Sequence, residues 1–220
     1  KNPLIWDKDH PYLYKAITRA HADNSTLDEE TTTFGVREFH FDPVTGFWLN
    51  GRNFKLKGVC LHHDGSAFGA AVPLRAWERR LEVLKSLGVN AIRTAHNPPS
   101  PEFLDLCDRM GFLVMDEMFD CWTVGKNSYD YHLYFKEWSL IDTRDTVRRD
   151  RNHPSVILYS AGNEIHDTPK PEIAIPILGS LVKVFHENDD SRPVTQALFR
   201  PNVSHDYDNG LADLLDVVGQ

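Results

Sequence analysis

From Asn53 onward the chain alternates two hydrophobic rhythms. Phe54–Cys60, Val89–Arg93, Phe112–Asp116, Val156–Ser160 and Pro193–Ala197 are short apolar runs, the pattern of strands buried on both faces. Longer stretches with helical spacing lie between them. Leu74, Trp77, Leu81, Leu84 and Leu87 recur every three or four residues, and Gly88 stops the repeat. Ser100-Pro101 supplies an N-cap and a first helical residue for a helix to Met110, closed by Gly111. A charged helix spans Tyr134–Arg151 and ends at Asn152-His153-Pro154, and another covers Ile173–His186. Asp213–Gly219 reads as the approach to a sixth strand. Strands separated by helices predict parallel pairing with right-handed crossovers. An open doubly wound sheet and a (β/α)8 barrel both fit. No Gly-x-Gly-x-x-Gly follows the first strand, which weakens the nucleotide-binding version of the former. Polar residues collect instead at strand ends: His62-His63-Asp64, Arg93 to Asn97, Asp116-Glu117 with Asp120, and Asn163-Glu164. A barrel gathers its site there.

Residues 1–42 follow a different pattern. Tyr12–Ile17 and Val36–Phe41 are β-like runs, the second alternating apolar and polar, and Asp23–Glu30 between them reads as a solvated loop. Two strands and a loop suit a β-sandwich but are too few for a whole one, which needs about 100 residues. The chain is expected to begin inside such a domain. A turn at Asp42–Gly46 and a tight hairpin at Asn50-Gly51 follow. The expected organisation is α/β: the end of a sandwich over residues 1–42, then the first part of a TIM barrel over residues 43–220.

Composition narrows the function. The 220 residues carry 24 Lys+Arg against 32 Asp+Glu, a formal charge of −8. That balance argues against nucleic-acid or anionic-membrane partners, both of which need a dense basic face. No apolar run approaches the ~20 residues of a membrane span. The hydrophobic fraction of 41% supports a sizeable core. Cys60, Cys107 and Cys121 form neither a disulfide framework nor a zinc pattern and read as small core residues. The compartment stays open.

Among the strand-end residues, Glu164 beside Asn163 suits general acid work: burial raises a carboxyl pKa towards neutrality, and the amide can donate to a substrate hydroxyl. An ordinary acidic loop is the alternative. Arg93 at a strand end needs a carboxylate partner. It either orients a catalytic acid or pairs structurally with Asp116 or Glu117. His62 can bind a sugar hydroxyl or, with Asp64, a metal, though adjacent histidines diverge and weaken the second option. Asp120 and Trp122 can line a pocket, as sugar sites combine carboxylates with aromatic faces, or be an unremarkable loop. Asn152-His153-Pro154 precedes its strand and so belongs to the opposite, stabilising face.

Two long segments are familiar. Asn90-Ala91-Ile92-Arg93-Thr94-Ala95-His96-Asn97-Pro98-Pro99, continuing through Asp108 to Glu117, resembles the first signature of glycoside hydrolase family 2. Asp150 to Glu164 resembles the second. Gly58 to Asp64 is similar to the first barrel strand of its β-galactosidase branch, and Phe34–Arg37 to the last strand of the preceding immunoglobulin-like domain. The resemblance implies a retaining exo-glycosidase. In it Glu164 is the general acid/base, Asn163 binds the sugar 2-hydroxyl, His62 and His96 lie near the sugar, and Arg93 supports the nucleophile. Tyr159 stands where the family usually has Trp, and Asn97 where it often has Tyr. Cys121 and Thr123 occupy the neighbourhood of the magnesium ligands of well-known bacterial β-galactosidases, so neither metal nor cofactor is expected. The nucleophile is expected beyond Gln220, on a seventh strand. A carbohydrate substrate and a homo-oligomeric full-length enzyme complete the expectation. Open alternatives are another sugar (β-glucuronide, β-mannoside or an amino sugar), a metal-dependent hydrolase using His62, Asp64 and His96, and a non-catalytic carbohydrate-binding fragment.

Overall fold

The computed structural model describes residues 2–219. Its first element is a long hairpin, β1 (Tyr14–Ala22) with β2 (Ser25–Phe34), antiparallel from Tyr14↔Phe34 to Ala22↔Ser25. The stretch expected to be a solvated loop is therefore strand. Thr26 and Thr31–Thr33 favour extended backbone, and Arg19 and Glu29 pair across the ladder at 2.5 Å. Nearly every residue of the hairpin is exposed. With no buried face, it shows no alternation for a sequence reading to detect.

Three short strands follow: β3 (Phe39–Asp42), β4 (Gly46–Leu49) and β5 (Arg52–Asn53), an antiparallel meander. Asn50 and Gly51 both take positive φ (50° and 73°) in the turn joining β4 to β5, as the Asn-Gly pair predicts. The expected run Val36–Phe41 is strand only from Phe39, and it pairs with β4, not with the run at Tyr12–Ile17.

The barrel segment is β6 (Gly58–His62), β7 (Ala91–Ala95), β8 (Leu113–Glu117), β9 (Val156–Asn163) and β10 (Val194–Ala197). All are parallel, in a five-stranded sheet whose spatial order is the chain order. A doubly wound sheet reverses its order at a switch point. None occurs in this sheet, and the arrangement is that of successive staves of an incomplete TIM barrel. The crossovers are α1 (Leu74–Ser86), α2 (Pro101–Met110), α3 (His132–Asp150) and α4 (Pro171–Asn188), with a one-turn α5 (Pro201–Ser204) after β10. Beyond it, Gly219 makes a single parallel bridge to Ala197 where a sixth strand is expected.

One apolar cluster joins the strands to the helices, including Trp77, Leu81, Ile92, Leu104, Val114, Leu181 and Phe185. Each such fully buried side chain contributes about 1.5–3 kcal/mol. The ends of the α1 stripe, Leu74 and Leu87, are exposed. A second cluster ties the N-terminal segment and the meander to the sheet: Trp6, Phe47 and Leu49 with Leu113, Ile157 and Leu158. Polar contacts reinforce it. Trp6 Nε1 donates to Asp108 O at 2.8 Å, and Arg37 donates to Pro154 O and Val156 O, each at 2.6 Å. A Cβ on Gly35 would lie 2.7 Å from Pro154 Cγ, so glycine lets this segment dock. His153 Nδ1 meets Asp108 Oδ2 at 2.6 Å. This end of the sheet holds the molecule together and leaves the C-terminal strand ends for chemistry. Cys107 and Cys121 are buried, but Cys60 is exposed, because its side of β6 has no covering layer among the described residues.

Candidate active site

His62, Arg93, Glu117 and Asn163 all lie at or near the C-terminal ends of β6 to β9, with His96, Asp120 and Glu164 just beyond. Parallel strands in chain order bring residues up to about 100 positions apart to one rim. At its centre is Glu117, which is fully buried. Its Oε2 accepts Arg93 Nε at 3.0 Å, Arg93 Nη2 at 2.8 Å and Ser160 Oγ at 2.8 Å. Its Oε1 meets His96 Nδ1 at 2.7 Å. A carboxylate accepts, so Nδ1 is the donor, and His96 Nε2 is left to face a ligand. Of the two partners considered for Arg93, the structure selects Glu117. Burial works to lower the Arg93 guanidinium pKa, but the charge and hydrogen bonds of Glu117 outweigh it and hold it above its ordinary value.

Arg93 also links to the next stave. Its Nη2 donates to Asn163 Oδ1 at 2.7 Å, which fixes the amide so that Nδ2 donates to Asp120 Oδ1 at 2.9 Å. Asp120 further accepts Lys126 Nζ at 2.7 Å. Partial burial tends to raise the Asp120 carboxyl, yet the Lys126 and Asn163 bonds prevail and keep it below the usual carboxylate range. The chain Glu117–Arg93–Asn163–Asp120–Lys126 is thus continuous. It leaves one N–H of Asn163 and one oxygen of Asp120 for a hydroxylated ligand. The His62 ring sits edge-on to His96, centroids 5.0 Å apart.

Glu164 differs from expectation. Its carboxylate is exposed and makes no hydrogen bond or ion pair among the described residues, so the burial expected to tune it is not supplied by them. Its backbone is firmly placed, at φ 44° and with its N–H donating to Ala197 O at 2.8 Å. Trp122 is also corrected: it is fully buried, with Nε1 on Ala161 O at 3.0 Å, and cannot line a pocket. An open cavity of about 470 Å3 begins at His96 and Asp120 and runs outward past Phe119 and Tyr131 to Asp142 of α3.

The metal alternative does not find its ligands. Among the described residues, the one three-residue group close enough to hold an ion is Asp105, Asp108 and His153, at the other end of the strands. Lys126 and Ser160 escaped the sequence reading. Ser160 lies in the continuously buried β9, where alternation is invisible. Lys126 lies in an irregular loop, and only the fold brings it to Asp120.

Comparison with known proteins follows the geometry. The family model "Glycosyl hydrolases family 2, TIM barrel domain" matches residues 44–207, and "Glycosyl hydrolases family 2" matches residues 1–37. The chain belongs to glycosyl hydrolase family 2. It is 44% identical to the β-galactosidase BoGH2A of Bacteroides ovatus, over 100% of this chain and 29% of that protein. It is 30% identical to a β-glucuronidase of Bacteroides fragilis, over 90% of this chain and 28% of that protein. Among solved structures, a family 2 member from Bacteroides cellulosilyticus superposes with TM-score 0.91 at 44% identity, covering 98% of this chain and 27% of the other. A Parabacteroides merdae β-glucuronidase does so with TM-score 0.79 at 27% identity, covering 99% and 26%. This family 2 chain therefore spans little more than a quarter of the relatives it matches.

Proposed function

We propose that the protein carrying this chain is a retaining exo-β-glycosidase acting on terminal β-galactosides by double displacement. The observation that carries the reading is the locked amide of Asn163 beside the exposed carboxyl of Glu164. Glu164 gives its proton to the glycosidic oxygen as the anomeric carbon passes to an enzyme carboxylate. It then takes a proton from the water that releases the sugar. Asn163 and His96 face the sugar hydroxyls, Asp120 and His62 bound the pocket, and Arg93 holds the amide in place.

The nucleophile in this reading comes from outside residues 2–219. Glu117 is saturated by Arg93, Ser160 and His96 and has no exposed surface. Asp116 is buried on the other face of β8, beside Asp150. Asp120 is engaged by Lys126 and Asn163.

A neutral sugar is favoured over a uronate by charge. The two cations of the hydrogen-bonded chain are neutralised within it, Arg93 by Glu117 and Lys126 by Asp120. Neither is free to receive a substrate carboxylate. The name of the Bacteroides ovatus relative points the same way.

The test is hydrolysis of nitrophenyl β-galactoside, β-glucuronide, β-mannoside and β-glucoside by the full-length protein and its Glu164→Gln variant. Glu164→Gln should lower kcat/KM for a natural disaccharide by about 10²–10⁴-fold and spare kcat/KM for dinitrophenyl glycosides, whose leaving group needs no proton, while slowing the water step that all substrates share. Unchanged turnover of the disaccharide would sink the assignment of Glu164. Preference for the glucuronide would replace the sugar and leave the mechanism standing.

A further inference from the structure

We propose that Lys126 is a positioning residue for Glu164, holding the acid/base carboxyl in place through the peptide bond that precedes it; the proposal rests on the reading of Glu164 given above. The peptide unit joining Asn163 to Glu164 is anchored on both sides. Its carbonyl accepts Lys126 Nζ at 2.8 Å, and its N–H donates to Ala197 O at 2.8 Å. One anchor comes from the loop between β8 and α3, the other from β10. With that plane fixed and Glu164 at φ 44°, the direction in which its side chain leaves the backbone is set. Rotating the plane would swing the carboxyl away from the glycosidic oxygen. The carbonyl anchor is charge-assisted, roughly twice as strong as a neutral bond.

The lysine is itself held from several sides. The backbone N–H groups of Lys126 and Asn127 both donate to Asp130 Oδ2 at 2.7 Å. Upstream, Thr123 Oγ1 and the Val124 N–H donate to Asp167, a buried carboxylate three residues beyond Glu164. The loop is therefore tied to the turn on both sides of Glu164: at residue 163 through Lys126, and at residue 167 through Thr123 and Val124. Gly125 makes the approach possible, since a Cβ there would run into the His132 ring. The Lys126 side chain is 17% exposed, so its two bonds, to Asp120 and to the Asn163 carbonyl, are partly screened from water and worth more than surface contacts.

A second role is open to the same ammonium: neutralising Asp120 and so supporting sugar binding. The two roles differ in what they do to kinetics. Loss of acid positioning raises the barrier of the first step, read as kcat/KM, only where the leaving group needs a proton. Loss of Asp120 support raises KM for every substrate of the same sugar.

The experiment uses the full-length protein with Lys126→Met, Lys126→Gln, Lys126→Arg, Asp120→Asn and Glu164→Gln. Substrates are phenyl and 2,4-dinitrophenyl glycosides of the sugar selected by the nitrophenyl panel. A displacement on the order of 1 Å is worth about 10²-fold. Lys126→Met should therefore lower kcat/KM for the phenyl glycoside by about 10–100-fold and for the dinitrophenyl glycoside by at most about threefold. Lys126→Arg should recover most of the loss, because it restores a cationic donor to the carbonyl. Lys126→Gln keeps the test alive if the Met variant does not fold. Equal losses of kcat/KM on both substrates would overturn the proposal. So would a rise in KM alone that Asp120→Asn reproduces. Should Glu164→Gln leave phenyl glycoside turnover intact, the parent reading has failed and the proposal falls with it. If Glu164→Gln shows the leaving-group signature and Lys126→Met does not, only the proposal has failed.

Discussion

Glutamine at position 117 would keep the shape of the side chain and remove its charge, so it isolates what the Glu117–Arg93 pair does. Four donors converge on this carboxylate, two from one guanidinium. Hydrogen bonds to charged groups contribute about 1.5–3 kcal/mol each, and removing one partner of a buried pair costs about 3–5 kcal/mol. Arg93 retains Asn163 Oδ1 at 2.7 Å and is 21% exposed, so the guanidinium is not stranded without solvent or partner. The lower end of the range applies, and Glu117→Gln should destabilise by about 3 kcal/mol. Arg93→Met is more severe. It leaves a fully buried carboxylate with only Ser160 and His96, and should cost about 4–5 kcal/mol. The double variant removes both charges, so the coupling energy should be about 2–3 kcal/mol. Urea unfolding of the full-length protein and the three variants, fitted with a common m-value, measures it. Raising the salt to 1 M should leave the coupling unchanged, because Glu117 has no exposed surface to be screened. A coupling below about 0.5 kcal/mol, or one abolished by salt, would refute the account.

Two further predictions concern stability. Burial, and then the neighbouring Asp150 carboxyl, hold Asp116 well above the usual carboxylate range. A raised folded-state pKa means stability falls as pH climbs above the unfolded value of about 3.9. Asp116→Asn should therefore be more stable than the parent at pH 7 and lose that advantage near pH 3.5, read as a shrinking difference in Tm. Gly111 ends α2 at φ 70°, where a Cβ would run into the Lys8 carbonyl, its carbon 2.8 Å away. Gly111→Ala should cost about 2–3 kcal/mol. Gly88→Ala, at φ 83° with open space around it, should cost only about 1 kcal/mol by the same unfolding measurement.

The barrel segment was legible because strands β7 to β10 are largely buried on both faces and its helices on one. The two periods, run against continuous, survive in the linear sequence even where ends shift. Strand β9 runs to Asn163, three residues past its apolar run, because polar residues at a barrel rim still pair with their neighbours. The β1–β2 hairpin was illegible for the opposite reason: exposed on both sides, its threonines and charges look like loop. In the site, Arg93, His96, Asn163 and Asp120 could be found because each ends or follows an apolar run. Lys126 could not. Its position depends on Asp130 and Asp167 folding the loop back, and no spacing in the sequence encodes that contact.

Asp116 and Glu117 show most sharply what a linear reading lacks. They are adjacent acids at the end of one strand, both fully buried, and both were reasonable partners for Arg93. The period of two in a strand sends them to opposite faces. Glu117 faces the rim, meets a guanidinium, a hydroxyl and an imidazole, and ties together three residues from two strands and a loop. Asp116 faces α3, where its nearest charge is another carboxyl and no donor among the described residues reaches its oxygens. That environment disfavours its charged form. One residue is thus a hydrogen-bonded anchor for the site, and its neighbour is a buried group whose ionisation would weaken the layer between β8 and α3. Polarity alone cannot separate the two. The partner that each face presents decides it, and that partner is set by chain order in the sheet.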